Sequence, residues 1–183
     1  MKEYKVVIIV GSLRKGSYNK KLANELIKLA HPQIQFFFAE IGKLPLYNQD
    51  DDEQPSKVVL DFKQQIADAD GVIFVTAEYN RSIPGVLKNA LDQGSRPYGK
   101  NVWAQKPAGV IGTSPGAMGS ALSQQHLRNV LTFLDMPTLN QPEAFIQWNE
   151  NIIDKQGNLL ERTKVFLQKW LDAYSHFLKK QLN

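Results

Sequence analysis

A loop rich in hydrogen-bond donors, residues 11–19 (GSLRKGSYN), follows an apolar, β-branched segment and precedes a helical pattern. Such a turn points backbone N–H groups and the positive end of a helix dipole at one spot, which favours a phosphate. Four side chains add two hydroxyls, a guanidinium and an amide: Ser12, Ser17, Arg14 and Asn19. This set favours one phosphate monoester, bound by charge-assisted and neutral hydrogen bonds. The alternative is that Ser17 only caps the helix and Arg14 is a solvated surface residue.

The loop matches neither of two common phosphate-binding motifs. The dinucleotide fingerprint needs a glycine where Leu13 stands, and the P-loop needs a lysine between Gly16 and Ser17. The remaining interpretation is a site for a single terminal phosphate.

A second loop, residues 76–84 (TAEYNRSIP), also follows an apolar run. A flat aromatic ligand needs backbone polar groups at its edge and an aromatic or apolar wall at its face. Tyr79 could form that wall, and the main chain of Ala77, Glu78 and Asn80 could contact the edge. Taken alone, the loop is equally consistent with a plain turn before a helix.

A third loop, residues 113–119 (TSPGAMG), has glycines that allow a close approach of the backbone, and its Ser114 could reach the same ligand. A flexible helix entry is the alternative. His31, His126 and His176 have no metal-ligand spacing, so no metal site is expected.

Strand and helix patterns alternate along the chain. Apolar runs predict strands over residues 4–10, 34–41, 71–76, 108–112 and 136–139. Helical periodicity predicts helices over residues 19–30, 56–68, 84–93, 119–134 and 161–182. This alternation predicts an α/β fold with a parallel sheet and helices on both faces. Ligands of such folds bind at the carboxyl ends of the strands, where the three loops lie.

The composition narrows the chemistry further. The 183 residues predict a single domain, 1–183, with a net charge of only +4 and no cysteine. Thiol nucleophiles, disulfides and cysteine-ligated metals are therefore excluded, and any redox function needs a bound cofactor. The charge is too small and scattered to predict a nucleic-acid partner. No apolar run reaches the roughly 18 residues of a membrane span and no signal peptide is recognised, so a cytoplasmic protein without a membrane partner is expected.

With these motifs in view, the sequence resembles the NAD(P)H-dependent FMN reductases, and most nearly the bacterial quinone and chromate reductases of the flavodoxin-like fold. The resemblance extends to about Pro142, is most specific at residues 11–19 and 78–92, and continues at residues 106–114 and 126–137. It implies a three-layer α/β/α fold, a five-stranded parallel sheet of order 2-1-3-4-5, and non-covalently bound FMN. It also implies hydride transfer from NADH or NADPH through FMN to a quinone or a similar acceptor (flavin, azo, nitro or chromate compounds), in a homodimer or homotetramer.

The resemblance places the cofactor on three groups of residues. The family's phosphate loop corresponds to Ser12, Arg14, Ser17 and Asn19, with main-chain donors along Leu13, Lys15, Gly16 and Tyr18. Its ring loop corresponds to Ala77, Glu78, Tyr79 and Asn80. A third contact corresponds to Ser114. The flavin carries the chemistry, so no catalytic side chain is expected.

Three positions depart from the family pattern. Ala77 stands in place of a usual proline, Gly94-Ser95 in place of a frequent Trp-Leu, and Gly119-Ser120 in place of a frequent Gly-Gly. We expect the second change to widen the substrate side. The competing function is a flavodoxin-type electron carrier without a substrate of its own; such carriers are expected to be acidic, and the +4 charge disfavours this.

Overall fold

The computed structural model describes residues 2–149, 151–154, 156 and 158–183. Its five strands are β1 (Tyr4–Gly11), β2 (Ile34–Phe38), β3 (Gly71–Thr76), β4 (Ala108–Ser114) and β5 (Phe145–Gln147). Its five α-helices are α1 (Tyr18–Lys28), α2 (Lys57–Ala67), α3 (Gly85–Ser95), α4 (Ala121–Phe133) and α5 (Glu161–Leu182).

All five strands pair in parallel, in the order β2-β1-β3-β4-β5. This confirms the predicted fold class and strand order. The three central strands are apolar on both faces because both faces are covered, as is usual in parallel sheets. The order reverses between β1 and β3, which are neighbours in the sheet but lead to helices on opposite faces.

Alternate residues of the central strands point into two separate cores. In β1, Val6 and Ile8 pack in the core formed with α1 and α5, whereas Val7 and Ile9 pack in the core formed with α2, α3 and α4. The helices therefore form one layer on each side of the sheet, which is the predicted three-layer arrangement. The alternation follows from the two-residue period of a strand.

The position of the fifth strand was predicted wrongly. Residues 136–139 contribute only an isolated bridge between Thr138 and Ala108, and the strand itself is β5, Phe145–Gln147. Phe145 and Gln147 are exposed and only Ile146 between them is buried, so this edge strand lacks the continuous apolar run of the central strands. Pro137 lacks the N–H group that a longer ladder at 136–139 would need.

Two departures from the family pattern have a local explanation. Gly94 is buried against the indole of Trp103, and a Cβ atom there would lie 2.4 Å from Trp103 Nε1. The glycine therefore faces the core and does not widen the substrate side, whereas the expectation for Ser95 stays a prediction. Ser120 adopts a left-handed backbone conformation (φ 71°), which glycine favours, and its buried hydroxyl accepts a hydrogen bond from Gln124 Nε2 at 3.0 Å.

We predict that Gly94→Ala lowers the free energy of unfolding by about 1–3 kcal/mol, because the added methyl group overpacks the core against Trp103. Gly85→Ala is the matched control, since it lies in the same helix and a Cβ there meets nothing within 4 Å. Urea denaturation should show the control to be neutral or slightly stabilising. Equal stability of the two variants would contradict this packing.

Candidate functional site

The three loops meet in one cavity of about 290 Å³ at the carboxyl ends of β1, β3 and β4. This is the edge where parallel sheets bind ligands, at the reversal of strand order. The cavity is lined by Ser12, Arg14, Ser17, Tyr18, Asn19, Ala77, Glu78, Tyr79, Thr113, Ser114 and Pro115.

Nine of these residues belong to the predicted site, and two, Thr113 and Pro115, were missed. Both missed residues lie in the third loop, from which only Ser114 was chosen. Four predicted residues do not line the cavity: Leu13, Lys15, Gly16 and Asn80. The first three were expected to contribute main-chain donors, and the side chain of Leu13 instead packs beside Gly42.

Ser17 is the N-cap of α1. Its Oγ accepts a hydrogen bond from the backbone N–H of Lys20 at 3.2 Å, which satisfies one of the free donors at the helix start. Because Oγ accepts this bond, the hydroxyl proton remains to be donated to a ligand in the cavity. Capping and phosphate binding are thus compatible at this residue.

The start of α1 is strongly positive. Residues 14–21 contain four cations, Arg14, Lys15, Lys20 and Lys21, and the first turn of the helix carries no acidic residue. Lys20 packs on the ring of Phe38, with Nζ 3.1 Å from its centroid; burial lowers the pKa of Lys20, and the charge of Glu40 partly offsets this. The helix dipole adds to this field. The loop is therefore suited to an anion.

Arg14 is exposed at the mouth of this loop. Its Nη2 donates to the carbonyl of Gly16 at 2.6 Å, and its Cζ lies 4.5 Å from the centre of the Tyr18 ring. A guanidinium has five N–H groups, so most of its donors stay available to an anion.

Asn19 ties the first loop to the third. Its Nδ2 donates to the carbonyl of Thr113, and its Oδ1 accepts from the N–H of Thr113, both at 2.9 Å. The hydrogen-bond ladder between β3 and β4 ends at the pair Thr76 and Gly112. The next residue of β4, Thr113, therefore has no partner on β3, and the Asn19 side chain supplies its hydrogen bonds instead. The amide is only 3% exposed. One N–H of its amide group remains for a ligand, so its expected role at the phosphate stays a prediction.

The ring loop is a two-residue hairpin. Tyr79 and Ser82 exchange both backbone hydrogen bonds at 3.0 Å, and the residues between them, Asn80 and Arg81, have φ values of 52° and 62°. Two consecutive left-handed residues are the mark of a type I′ turn, usually formed by Asn and Gly. An arginine in this conformation is strained by about 1–3 kcal/mol, and such strain clusters at functional sites.

The start of this loop is held by α4. Ser123 Oγ donates to the carbonyl of Ala77 at 2.8 Å, and the Ser123 N–H donates to Glu78 Oε2 at 3.1 Å. The Glu78 carboxylate therefore caps the positive end of α4. Thr76 Oγ1 also donates to the carbonyl of Ala77, at 2.8 Å. The loop is thus fixed although Ala77 replaces the family proline. Ser123 was not predicted; its place just after the third loop was the only sequence signal.

The donor set fits FMN. A positive helix start with hydroxyl, guanidinium and main-chain N–H groups suits a phosphate monoester. On the other side of the cavity, Tyr79 presents a ring that is 53% exposed beside main chain fixed by α4, which suits the face and edge of a planar ring system. Within the described residues, no cluster of three or more His, Asp or Glu side chains is placed to hold a metal ion.

The fold and this cavity define a flavodoxin-like, FMN-dependent oxidoreductase. Residues 4–150 match the family model described as NADPH-dependent FMN reductase. A 2-hydroxy-1,4-benzoquinone reductase of a Burkholderia species is 52% identical over 176 residues, 96% of each chain. A quinone reductase of Pseudomonas putida is 45% identical over 177 residues, 96% of this chain and 95% of its own.

A solved structure agrees with these sequences. FerB from Paracoccus denitrificans, described as a flavoenzyme NAD(P)H:(acceptor) oxidoreductase, superposes with a TM-score of 0.92 at 44% identity, over 97% of this chain and 98% of its own. The chain belongs to the NADPH-dependent FMN reductase family. The predicted family, enzyme class and cofactors, FMN with NAD(P)H, are thereby confirmed.

We predict that Asn19→Ala lowers the free energy of unfolding of the FMN-free protein by about 1–3 kcal/mol, because both backbone groups of Thr113 lose their partner. Asn140→Ala, at an exposed asparagine, is the control and should change it by less than about 0.5 kcal/mol. Urea denaturation without FMN measures both. If Asn19→Ala had the same free energy of unfolding as the control without FMN and differed only in weaker FMN binding, this would contradict the prediction. Asn19 would then contact the ligand and would not stabilise the fold.

Proposed function

We propose that the protein uses bound FMN to transfer electrons from NADH or NADPH to a quinone or a similar small acceptor. The observation that carries this proposal is the cavity that joins the positively charged start of α1 to a hydrogen-bonded loop with an exposed aromatic ring. The acceptor class is supported by the relatives at 52% and 45% identity, which are a benzoquinone reductase and a quinone reductase.

The chain would bind and orient the cofactor from its two ends. Ser12, Arg14 and Ser17, with the N–H groups at the start of α1, would bind the phosphate. Main chain from Ala77 to Asn80 would contact the edge of the ring, with Ser114 as a third contact. Bound FMN supplies the two-electron chemistry that no side chain of this cysteine-free protein offers.

Substrates would approach on the side of Tyr79, whose ring is half exposed. NAD(P)H and the acceptor would occupy this open side in turn, so neither needs a dedicated nucleotide-binding motif. The alternative of an electron carrier has less support, because the family match is to reductases and the +4 charge is unsuited to steering toward basic redox partners.

A homodimer or homotetramer is part of the proposal. Leu46, Tyr98 and Phe133 are 83%, 92% and 85% exposed, and an interface that covered them would remove apolar surface from water. A two-fold pair that covered the Tyr79 side would enclose the substrates. Light scattering should give at least twice the 20.7 kDa of one chain; a single 20.7 kDa species would contradict it.

The place of action proposed is the cytoplasm, where reduced pyridine nucleotides are maintained. None of the helices in the ranges that the structure describes is long and apolar enough to cross a membrane. Fractionation of cells that express the chain would test the placement, and recovery with the membrane or the secreted fraction would contradict it.

The function is tested by spectroscopy and turnover. We predict that the purified protein, loaded with FMN, shows flavin absorption bands that bleach on addition of NADH or NADPH and return on addition of a benzoquinone. Steady-state oxidation of NAD(P)H should depend on the quinone. A protein that binds FMN but shows no turnover would favour the electron carrier, and one that does not bind FMN would refute the proposal.

We predict that Arg14→Ala weakens FMN binding by about 1.5–3 kcal/mol, the range of a hydrogen bond to a charged group. Fluorescence titration of the FMN-free protein measures the affinity. Arg162→Ala is the control, because Arg162 lies in the first turn of α5 and donates to the carbonyl of Asn151, away from the cavity. Equal affinity of the two variants would remove Arg14 from the site.

A further inference from the structure

Trp148 lies outside the three loops that the sequence singled out, yet it contacts the first of them. It follows β5 directly, is 7% exposed, and stacks on the ring of Tyr18 with 5.0 Å between centroids and 18° between planes. The two residues are 130 positions apart in the chain, so the contact joins the edge of the sheet to the start of α1.

Tyr18 in turn contacts Arg14. The Arg14 Cζ lies 4.5 Å from the centre of the Tyr18 ring, within the distance of a cation–π interaction. Arg14 is exposed, and among the described residues its guanidinium donates one hydrogen bond, to the carbonyl of Gly16, so the Tyr18 ring supplies much of what holds the guanidinium in place. The orientation of that ring therefore matters for the position of the charge.

The position of Trp148 is itself fixed from the site. Its backbone N–H donates to the carbonyl of Ser114 at 2.8 Å, and Thr113 Oγ1 donates to the carbonyl of Ile146 at 2.7 Å. The indole also packs in the core beneath α1 and α5. Trp148 is thus a buried support anchored to the third loop, whereas Arg14 lies exposed at the other end of this series of contacts.

We propose that Trp148 is a positioning residue for the phosphate end of the cofactor: it orients Tyr18, and Tyr18 holds the Arg14 guanidinium at the phosphate. The inference rests on the proposed FMN site. It predicts that replacing Trp148 weakens ligand binding only when the ligand carries a phosphate and only when Arg14 is present. A general loss of packing would not show this dependence.

The test compares FMN with riboflavin, which has the same ring system and no phosphate. We expect Trp148→Leu to lower FMN affinity about three- to tenfold. This lies between the effect of losing a cation–π contact and the larger effect of losing the charged hydrogen bond of Arg14. Riboflavin affinity should change by less than about twofold. Trp148→Phe keeps a ring for stacking and should restore most of the FMN affinity.

The matched control is Trp170→Leu. Trp170 is likewise a buried tryptophan stacked on a tyrosine, Tyr174, but both lie on α5 and neither lines the cavity. Its replacement should lower stability and leave the ratio of FMN to riboflavin affinity unchanged. In the Arg14→Ala background, Trp148→Leu should no longer change FMN affinity, because the group that it positions is absent.

Equal weakening of FMN and riboflavin by Trp148→Leu, or an undiminished effect in the Arg14→Ala background, would overturn the inference. If Trp148→Leu does not fold, Trp148→Phe and Tyr18→Leu are compared instead. The inference is supported if Tyr18→Leu loses FMN affinity but not riboflavin affinity while Trp148→Phe keeps both. The inference is refuted if Tyr18→Leu shows no selective loss of FMN affinity. Failure of the parent protein to bind FMN would instead refute the proposed function, so the two failures are distinguishable.

Discussion

The paired hydrogen bonds between Asn19 and Thr113 are the interaction on which the site depends. They join the first turn of α1 to the end of β4, 94 residues further along the chain, at the point where β4 has lost its neighbour β3. Without them, two backbone groups in the interior would have no partner, and the first and third loops would lose this direct connection. Thr113 continues the connection through its hydroxyl to the carbonyl of Ile146, so hydrogen bonds link α1, β4 and β5. The cavity can therefore be shaped before a ligand arrives.

The second loop is held by a different means. Its hairpin contains two left-handed residues, Asn80 and Arg81. Ahead of the hairpin, Ser123 of α4 donates hydrogen bonds to the carbonyl of Ala77 and to the carboxylate of Glu78. The strain of the turn is offset by these bonds and by the helix dipole that Glu78 caps. The end of the cavity that we propose for the phosphate is thus held by α1 and β4, and the end that we propose for the ring is held by α4. The sheet sets the distance between these two ends, so the cavity suits a ligand of one particular length.

The sequence predicts most of this arrangement because the central strands and the loops are local features. Apolar runs such as residues 71–76 mark strands buried on both faces, and the loop at 11–19 is recognisable from its donors alone. Contacts between distant residues leave no such mark. The partner of Asn19, the packing of Trp103 against Gly94 and the stack of Trp148 on Tyr18 depend on which elements become neighbours. The fifth strand was misplaced for a related reason, since an edge strand of three residues exposes two of them and has no distinctive period.

The central claim is that the start of α1 binds the phosphate of FMN while the ring loop, residues 77–80, contacts its ring. A crystal structure of the protein with FMN tests this most directly. The account predicts density for the phosphate against Arg14, Ser17 and the N–H groups at the start of α1, with the flavin ring beside Tyr79. A phosphate bound elsewhere, or a ring that does not touch residues 77–80, would contradict it.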